Sequence, residues 1–261
     1  MTDSAAPGLS AGTISARIDR LPATRTIWTI VALLGFGMFF ELYDLLFSAY
    51  VAPSLVKSGV LTASTAGLFG TTGEARQQAA AALGLSTGRD VQYQAALALA
   101  SAQDATRAQP LADDLGKRLP EDTIVQFNYL PTTRAQIDLI HNDFARAVEA
   151  LQPAAPYELG SPHGVILLAL YPVYVRGEAY LAAHQGSEAA AEFQKILDHR
   201  GVVINQPIGV LAHLQIGRAY AMQGDTAKAR AAYQDFLTLW KDADPDIPVL
   251  IAAKSEYAKL K

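Results

Sequence analysis

Two carboxylates in the first quarter of the chain have the setting that most suggests chemistry. Glu41 and Asp44 lie three positions apart, so a helix would carry both side chains on one face. They fall within Ile27–Phe47, a run of 21 residues in which no other residue is charged. Such carboxylates face either a bundle interior or water-filled path, or the outer headgroup region of a membrane. The sequence leaves both interpretations open.

The other residue types that could catalyse a reaction or bind a metal show no supporting pattern. The five histidines stand apart, without the HExxH spacing of a zinc site; they are His141, His163, His184, His199 and His213. Asp242, Asp244 and Asp246 alternate as in a calcium loop, but the loop's glycine and distal glutamate are absent, which favours a solvated loop. No serine has a GxSxG context. The sequence therefore predicts no metal, no cofactor and no enzymatic activity.

Charge and composition limit the partners and divide the chain. The 261 residues carry a formal net charge of −4 without a clustered basic run, so no nucleic-acid interface is expected. Because there are no cysteines, disulfides and thiolate metal sites are excluded. Long apolar runs stop near residue 73, after which the chain is rich in alanine. We therefore expect a disordered basic tail at 1–24, a membrane segment at 25–73 and a helical domain at 74–261.

The apolar run at residues 27–47 is long enough to cross a bilayer. About 20 apolar residues span the hydrocarbon core as a helix, whereas a cleavable signal peptide has a shorter apolar region and a small-residue cleavage site. Arg17, Arg20 and Arg25 precede the run, and Lys57 is the first basic residue after it. By the positive-inside rule, the N-terminus is expected in the cytoplasm and the helical domain outside it.

Residues 13–73 contain the segments RIDRLPATRTIW, GFGMFFELYDLLFSAYVAPSLVKSGVLT and TAGLFGTTG. In these segments the chain resembles the start of a major facilitator superfamily transporter of the metabolite–proton symporter kind. It implies a proton-coupling role for Glu41 and Asp44 in the parent family. Such a transporter has about a dozen helices around an alternating cavity, and only one full apolar span is present here. The resemblance alone therefore does not predict transport.

The second part of the chain repeats a short helix–turn–helix pattern. Leu211–Trp240 is its clearest copy, with two apolar stripes joined by the turn Gln223-Gly224-Asp225. The turn-plus-alanine feature GDTAKA recurs as QDATRA, NDFARA and QGSEAA. The alanines are Ala108, Ala147, Ala189 and Ala229, separated by 39, 42 and 40 residues. A hairpin this short cannot bury both stripes alone, so the spacing predicts an all-α solenoid of about four stacked hairpins.

The pattern resembles the tetratricopeptide repeat, in which small and aromatic residues recur at fixed offsets. The best matches are Gly177, Tyr180, Ala189 and Phe193 in one copy and Gly217, Tyr220, Ala229 and Tyr233 in the next. The family period is about 34 residues, so the units here are longer, and one or two additional helical turns would accommodate the difference. Pro131 and Pro172 fall inside helical patterns and predict long, kinked first helices.

The same resemblance implies where a partner would bind. In this repeat family the first helices of the hairpins line a concave groove that holds a protein or peptide. Mapping the repeat offsets onto this sequence places Tyr93, Tyr129, Tyr171, Tyr174, Glu178 and Arg218 in that groove. Tyrosines offer large, rigid contacts, and Arg218 could clamp a carboxylate of the partner. The alternative is that several of these tyrosines pack between neighbouring hairpins.

Residues 74–261 contain the segments DVQYQAALALASAQDATRAQPLADDL, EDTIVQFNYLPTTRAQI, LYPVYVRGEAYLAAHQGSEAAAEFQKILDHRG and YQDFLTLWKDADPDIPVL. In these segments the chain also resembles the C-terminal helical-repeat region of large bacterial serine/threonine protein kinases. The kinase motifs themselves are missing: there is no glycine-rich phosphate loop, no HRD-type loop and no DFG. The resemblance therefore implies the appended, protein-binding part of such a kinase.

Together these features predict a helical-repeat scaffold that is anchored in the membrane by one N-terminal helix and binds a protein or peptide. Transport is the competing function. A further alternative is a chimera, made by recombination or sequence assembly, in which a truncated transporter segment precedes an unrelated repeat domain. The junction near Gly73–Glu74 would fall inside a structural element of both parents, whereas natural fusions usually break at exposed linkers. Its position therefore favours the chimera.

The predicted topology can be tested by protease protection. Protease added to intact spheroplasts is expected to digest the domain at residues 74–261, because the arginines before the membrane helix hold the N-terminus inside. Immunoblotting for the C-terminus measures the loss, and a cytoplasmic protein that stays intact shows that the membrane is sealed. Protection of the domain until detergent is added would contradict this orientation.

Overall fold

The described part of the chain is all-α. The computed structural model describes residues 72–160, 169–203 and 206–260, which all belong to one compact unit. Every regular element in these ranges is helical, and they contain no strand. The predicted membrane helix at 27–47, with Glu41 and Asp44, lies outside the described residues. Within the ranges given, no helix combines the length and the apolar character needed to cross a membrane.

The helices follow one another with short connections. In the ranges described they are α1 (Thr72–Leu85), α2 (Arg89–Ser101), α3 (Ala105–Arg118), α4 (Leu130–Ile140), α5 (Phe144–Ala150), α6 (Tyr171–Ala182), α7 (Gly186–Asp198), α8 (Arg200–Val203), α9 (Pro207–Met222), α10 (Thr226–Leu239) and α11 (Pro248–Lys259). A π-helix at Val125–Tyr129 runs directly into α4, and a 3₁₀-helix at Gln152–Tyr157 follows α5.

The packing follows the chain order. Contacts join α2 with α3, α4 with α5, α6 with α7, and α9 with α10, so these are four helix pairs. The first helices also touch one another, α2 with α4, α4 with α6, and α6 with α9. Each second helix in turn contacts the first helix of the following pair, and α11 packs against α10. The first helices therefore form one inner layer, which is the layer that could face a ligand.

The turn inside each pair has the same backbone conformation. Its central residue adopts a left-handed conformation, and these residues are Gln103 (φ 60°), Asn142 (φ 59°), His184 (φ 59°) and Gly224 (φ 78°). The next N–H donates to the carbonyl five residues back: Asp104 to Leu99 (2.9 Å), Asp143 to Asp138 (3.0 Å), Gln185 to Tyr180 (2.8 Å) and Asp225 to Tyr220 (3.0 Å). This Schellman arrangement satisfies carbonyls that the ending helix leaves free.

The start of each second helix is equally regular. The side chains of Asp104, Asp143 and Asp225 accept hydrogen bonds from the backbone N–H three residues ahead, which satisfies a free donor of the new helix. Gln185 holds this position in the third pair without such a side-chain bond. Four residues after the cap comes an alanine with no exposed surface: Ala108, Ala147, Ala189 and Ala229. The predicted turn-plus-alanine feature thus coincides with one local structure.

Glycine lets two of the pairs approach closely. A Cβ added to Gly177 on α6 would lie 2.6 Å from Cζ of Phe193 on α7. A Cβ added to Gly217 on α9 would lie 2.9 Å from Cδ2 of Tyr233 on α10. Real Cβ atoms do not come this close to a neighbouring carbon, since interiors are already close-packed. The aromatic ring of each second helix therefore rests directly on the backbone of the first.

The two prolines behave differently from each other. Helical residues run without a break from 123 to 140, so Pro131 does lie inside a long helix, as predicted. The π-helix ends two residues before it, and Thr132 donates a hydrogen bond from Oγ1 to the carbonyl of Asn128 (2.6 Å). The prediction for Pro172 is wrong, because α6 begins at Tyr171 and the proline occupies its first turn, where its missing N–H costs nothing.

A buried ion network fixes the segment after α5 to the third pair. Arg176 donates to Glu158 (2.5 Å) and to Glu192 (2.6 Å), and Lys195 pairs with the second oxygen of Glu158. The side chain of Glu158 has no exposed surface. Burying a charge is costly unless it is paired and hydrogen-bonded. Each charge in this network has an opposite charge beside it, so the network serves structure rather than ligand binding.

The close approach at Gly177 gives a stability prediction. Gly177→Ala is expected to lower the free energy of unfolding by about 1–3 kcal/mol, because the added methyl group overlaps the Phe193 ring in a packed interface. Denaturant unfolding followed by circular dichroism measures the change. Gly84→Ala is the matched control, since its Cβ meets nothing within 4 Å and alanine is the better helix former. Equal effects of both substitutions would contradict the packing argument.

Candidate functional site

A cavity of about 270 Å³ lies among the four first helices, and we call it the inner cavity. Helices α2, α4, α6 and α9 and the first hairpin turn all contribute to it. The lining residues are Leu97, Ser101, Gln103, Gln136, Tyr171, Tyr174, Val175, Glu178 and Ile208. Its wall is therefore aromatic and aliphatic on one part and polar on the other, with one carboxyl group. Concave sites with a few convergent polar groups are the usual form of a binding site.

Among the residues that line the inner cavity, Glu178 is the only one with a carboxyl, amino, guanidinium or imidazole group. Gln215 donates from Nε2 to Oε1 of Glu178 (3.4 Å) and to the hydroxyl of Tyr174 (3.0 Å). Burial raises the pKa of the Glu178 carboxyl to about 7, against the lowering effects of the Arg218 charge and the Tyr174 hydroxyl. Within the part of the chain that the structure describes, no lysine, arginine or histidine forms an ion pair with Glu178.

Arg218 lies behind Gln215 and is engaged within the fold. Its guanidinium donates from Nε and Nη2 to the two carboxylate oxygens of Glu256, both at 2.8 Å. Its third nitrogen, Nη1, donates to Oε1 of Gln215 at 3.1 Å. Glu256 also accepts the hydroxyl of Tyr233 at 2.7 Å. A partner's carboxylate would have to displace Glu256 before Arg218 could bind it, so Arg218 acts here as a tie between α9 and α11.

Tyr93 and Tyr129 do not reach a free surface. They are 0% and 4% exposed, and their rings stack at 3.8 Å between centroids with planes 4° apart. The Tyr129 hydroxyl donates to Oδ1 of Asp90 at 2.8 Å. The groove position expected for this pair is therefore corrected: the two rings fill the space between α2 and the π-helix, as the alternative interpretation held. Stacked aromatic rings at such a junction stabilise packing.

Tyr171 and Tyr174 are also largely buried, at 4% and 5% exposed, but both line the inner cavity. Tyr174 meets Phe193 edge-on, with centroids 5.7 Å apart. The hydroxyl of Tyr171 donates to Gln206 at 3.4 Å. Three of the six predicted groove residues, these two tyrosines and Glu178, thus come together in one site. Only the parts of the Tyr171 and Tyr174 rings that line the cavity are accessible to a ligand.

Three polar residues of the cavity were not predicted. Ser101 ends α2, Gln103 is the left-handed residue of the first turn, and Gln136 lies on α4. Ser101 lies four residues after Leu97, so helical spacing places these two residues on the same face of α2. Nothing in the residue type of Gln103 indicates a left-handed conformation, which favours glycine or asparagine.

In the described ranges the candidate metal ligands form no metal site, and His163 lies outside those ranges. No group of three or more histidine, aspartate or glutamate side chains there could hold an ion. His213 comes within 3.9 Å of Asp235, and burial lowers the pKa of His213. Asp242, Asp244 and Asp246 are exposed in the connection between α10 and α11, which fits the predicted solvated loop.

Comparisons with protein-family models, with curated proteins and with solved structures found no match. The likenesses to tetratricopeptide repeats, to kinase C-terminal regions and to a transporter N-terminus therefore stay expectations from the sequence.

The raised pKa of Glu178 predicts a stability effect that depends on pH. The unfolded chain ionises this group near its ordinary value of 4.5, whereas the folded chain holds the proton up to about pH 7. The folded state therefore loses stability as pH rises from about 4.5 to 7. Glu178→Gln removes this loss, and it is expected to raise the free energy of unfolding by about 3 kcal/mol at pH 8 and by little at pH 4.5.

Urea unfolding of the full chain at both pH values checks this expectation. Glu188→Gln is the matched control, because it removes the same charge from an exposed position on α7. An equal gain at pH 4.5 and pH 8 would show that the substitution acts through packing and that the carboxyl does not titrate as described.

Proposed function

We propose that residues 74–261 are a tetratricopeptide-like solenoid of about four helical hairpins that binds a protein or peptide along its first helices. In this proposal the domain is a scaffold without catalytic activity of its own. It is tied to the cell membrane by a single span at residues 27–47, with the N-terminus in the cytoplasm and the repeats outside. The partner would be a protein segment, and neither nucleic acid nor a cofactor takes part.

The recurrence of one local structure supports the solenoid. Four turns share a left-handed residue and the same backbone hydrogen bond, at intervals of 39, 42 and 40 residues. Each turn is followed by a fully buried alanine at a constant distance. A hydrogen-bonding pattern that recurs with the sequence period is expected of stacked copies of one unit, in which each copy contacts its neighbours.

The position of the inner cavity is the observation that carries the binding role. It lies on the layer formed by the first helices, where the tetratricopeptide resemblance places the concave groove. It combines aromatic surface with polar side chains from three different helix pairs. A site assembled from several hairpins would be occupied only by a ligand that spans them, such as an extended or helical segment of a partner.

The chimera remains the alternative to a membrane-anchored scaffold. In that reading the repeat domain keeps its groove but the segment at residues 25–73 has no evolved relation to it. Helix α1 begins at Thr72 and runs through the junction at residues 73–74 before packing against α2. Continuous helix across the junction is compatible with either origin, so the binding role does not depend on the choice.

Site-specific photocrosslinking tests the binding role. A benzophenone amino acid would replace Gln103, an exposed residue at the inner cavity, or Ala191, an exposed residue on the second helix α7. Irradiation of cells of the source organism is expected to give one discrete adduct from position 103 and none from position 191, because the partner lies on the first helices. Mass spectrometry then identifies the adduct.

The control position makes the result decisive. Both sites are exposed, so chance collisions should label them alike. Equal labelling at positions 103 and 191, or no adduct from position 103, would overturn the proposed groove.

A further inference from the structure

We propose that the inner cavity receives a basic side chain of the bound partner, lysine or arginine, and that Glu178 is its counter-ion. This inference rests on the proposed function, because it names the residue type that the partner segment presents to the first helices. It is carried by the geometry of the cavity, by the charges around it and by the shape of its lining.

Glu178 has no ion-pair partner among the described residues. The positive charge of Arg218 acts on Glu178, but both carboxylate oxygens of Glu256 already bind the Arg218 guanidinium. The neutral amide of Gln215 bonds to both residues, accepting from Arg218 at 3.1 Å and donating to Glu178 at 3.4 Å. The Glu178 carboxylate therefore adds one negative charge that the described part of the fold does not neutralise locally. Glu178 is partly buried, and a partly buried charge without an opposite charge beside it is costly, so a cation in the cavity would be favoured over an anion.

The size and lining of the cavity select one long side chain. Sites for free small molecules usually measure about 300–1,000 Å³, and the inner cavity is smaller, at about 270 Å³. Tyr171 and Tyr174 provide apolar and aromatic surface for the methylene stem and for a cation beside a ring. Ser101, Gln103 and Gln136 carry oxygens that can accept the N–H groups of an ammonium or guanidinium that Glu178 does not bind.

The charged and titratable groups around Glu178 make this binding depend on pH. On its own helix the Tyr174 hydroxyl acts on Glu178, and from α9 the charge of Arg218 does. Tyr171 and the residues that α2 and α4 place in the cavity are uncharged. Because burial raises the pKa of Glu178 to about 7, the carboxyl is mostly neutral at pH 6 and mostly ionised at pH 8. Affinity for a cation should therefore rise about tenfold between these values.

Four labelled nonapeptide pools test the inference on the immobilised full chain. The pools share random flanking positions and differ only in the central residue, which is lysine, arginine, norleucine or glutamate. At pH 8 the lysine and arginine pools are expected to be retained about tenfold more than the norleucine pool, and the glutamate pool least. At pH 6 this preference should fall by about tenfold. Norleucine matches the lysine stem without its charge, so the comparison isolates the ammonium.

Two variants assign the preference to the cavity. Glu178→Gln should abolish both the preference for basic residues and its pH dependence, and Glu188→Gln, which removes an exposed charge, should leave them intact. Circular dichroism confirms that each variant is folded. Equal retention of all four pools, or an unchanged preference in Glu178→Gln, would overturn the inference while the peptide-binding role stands. No retention of any pool would overturn the peptide-binding role as well.

Discussion

Close contact between paired helices is the constraint on which the rest of the structure depends. In the third and fourth pairs Phe193 and Tyr233 rest on Gly177 and Gly217, at distances that leave no room for a Cβ. Such contact requires that the turn between the helices be short and always the same, and the four left-handed turns meet that requirement. Once the two helices of a pair are packed together, one face of the first helix is left to contact the next pair. The first helices that meet in this way form the inner layer.

Helix α6 of the inner layer carries two charged side chains in different surroundings. Arg176 and Glu178 are two residues apart on α6, so they point to different sides of the helix. Arg176 turns toward α7 and is closed off by Glu158 and Glu192. Glu178 turns toward the inner cavity, where the amide of Gln215 and the hydroxyl of Tyr174 contact it and no described residue forms an ion pair with it. Helix α6 thus carries one charged side chain, Arg176, that is ion-paired within the fold and one carboxyl group, Glu178, that has no ion pair among the described residues.

The sequence predicted well whatever follows from local spacing. The alanine positions gave the four turns, and the offsets of the repeat brought Tyr171, Tyr174 and Glu178 to one site. Contacts between residues far apart in the chain were not accessible in this way. The pairing of Arg218 with Glu256, 38 residues on, and the stacking of Tyr93 on Tyr129 depend on how pairs dock. The left-handed conformation at Gln103 could not be predicted because glutamine does not favour it.

The unpaired carboxyl at Glu178 is where local consistency fails. Glutamine would have nearly the same shape, could keep the hydrogen bond from Gln215 and would not be costly to bury at neutral pH. A residue that lowers stability without a structural partner is expected at sites whose function needs it. The surrounding fold tolerates this carboxyl because the neighbouring charges of Arg218 and Glu256 neutralise each other. The free-energy cost is therefore limited to one group that faces one cavity. A single side chain of a partner would therefore be enough to offset the cost of the Glu178 carboxyl.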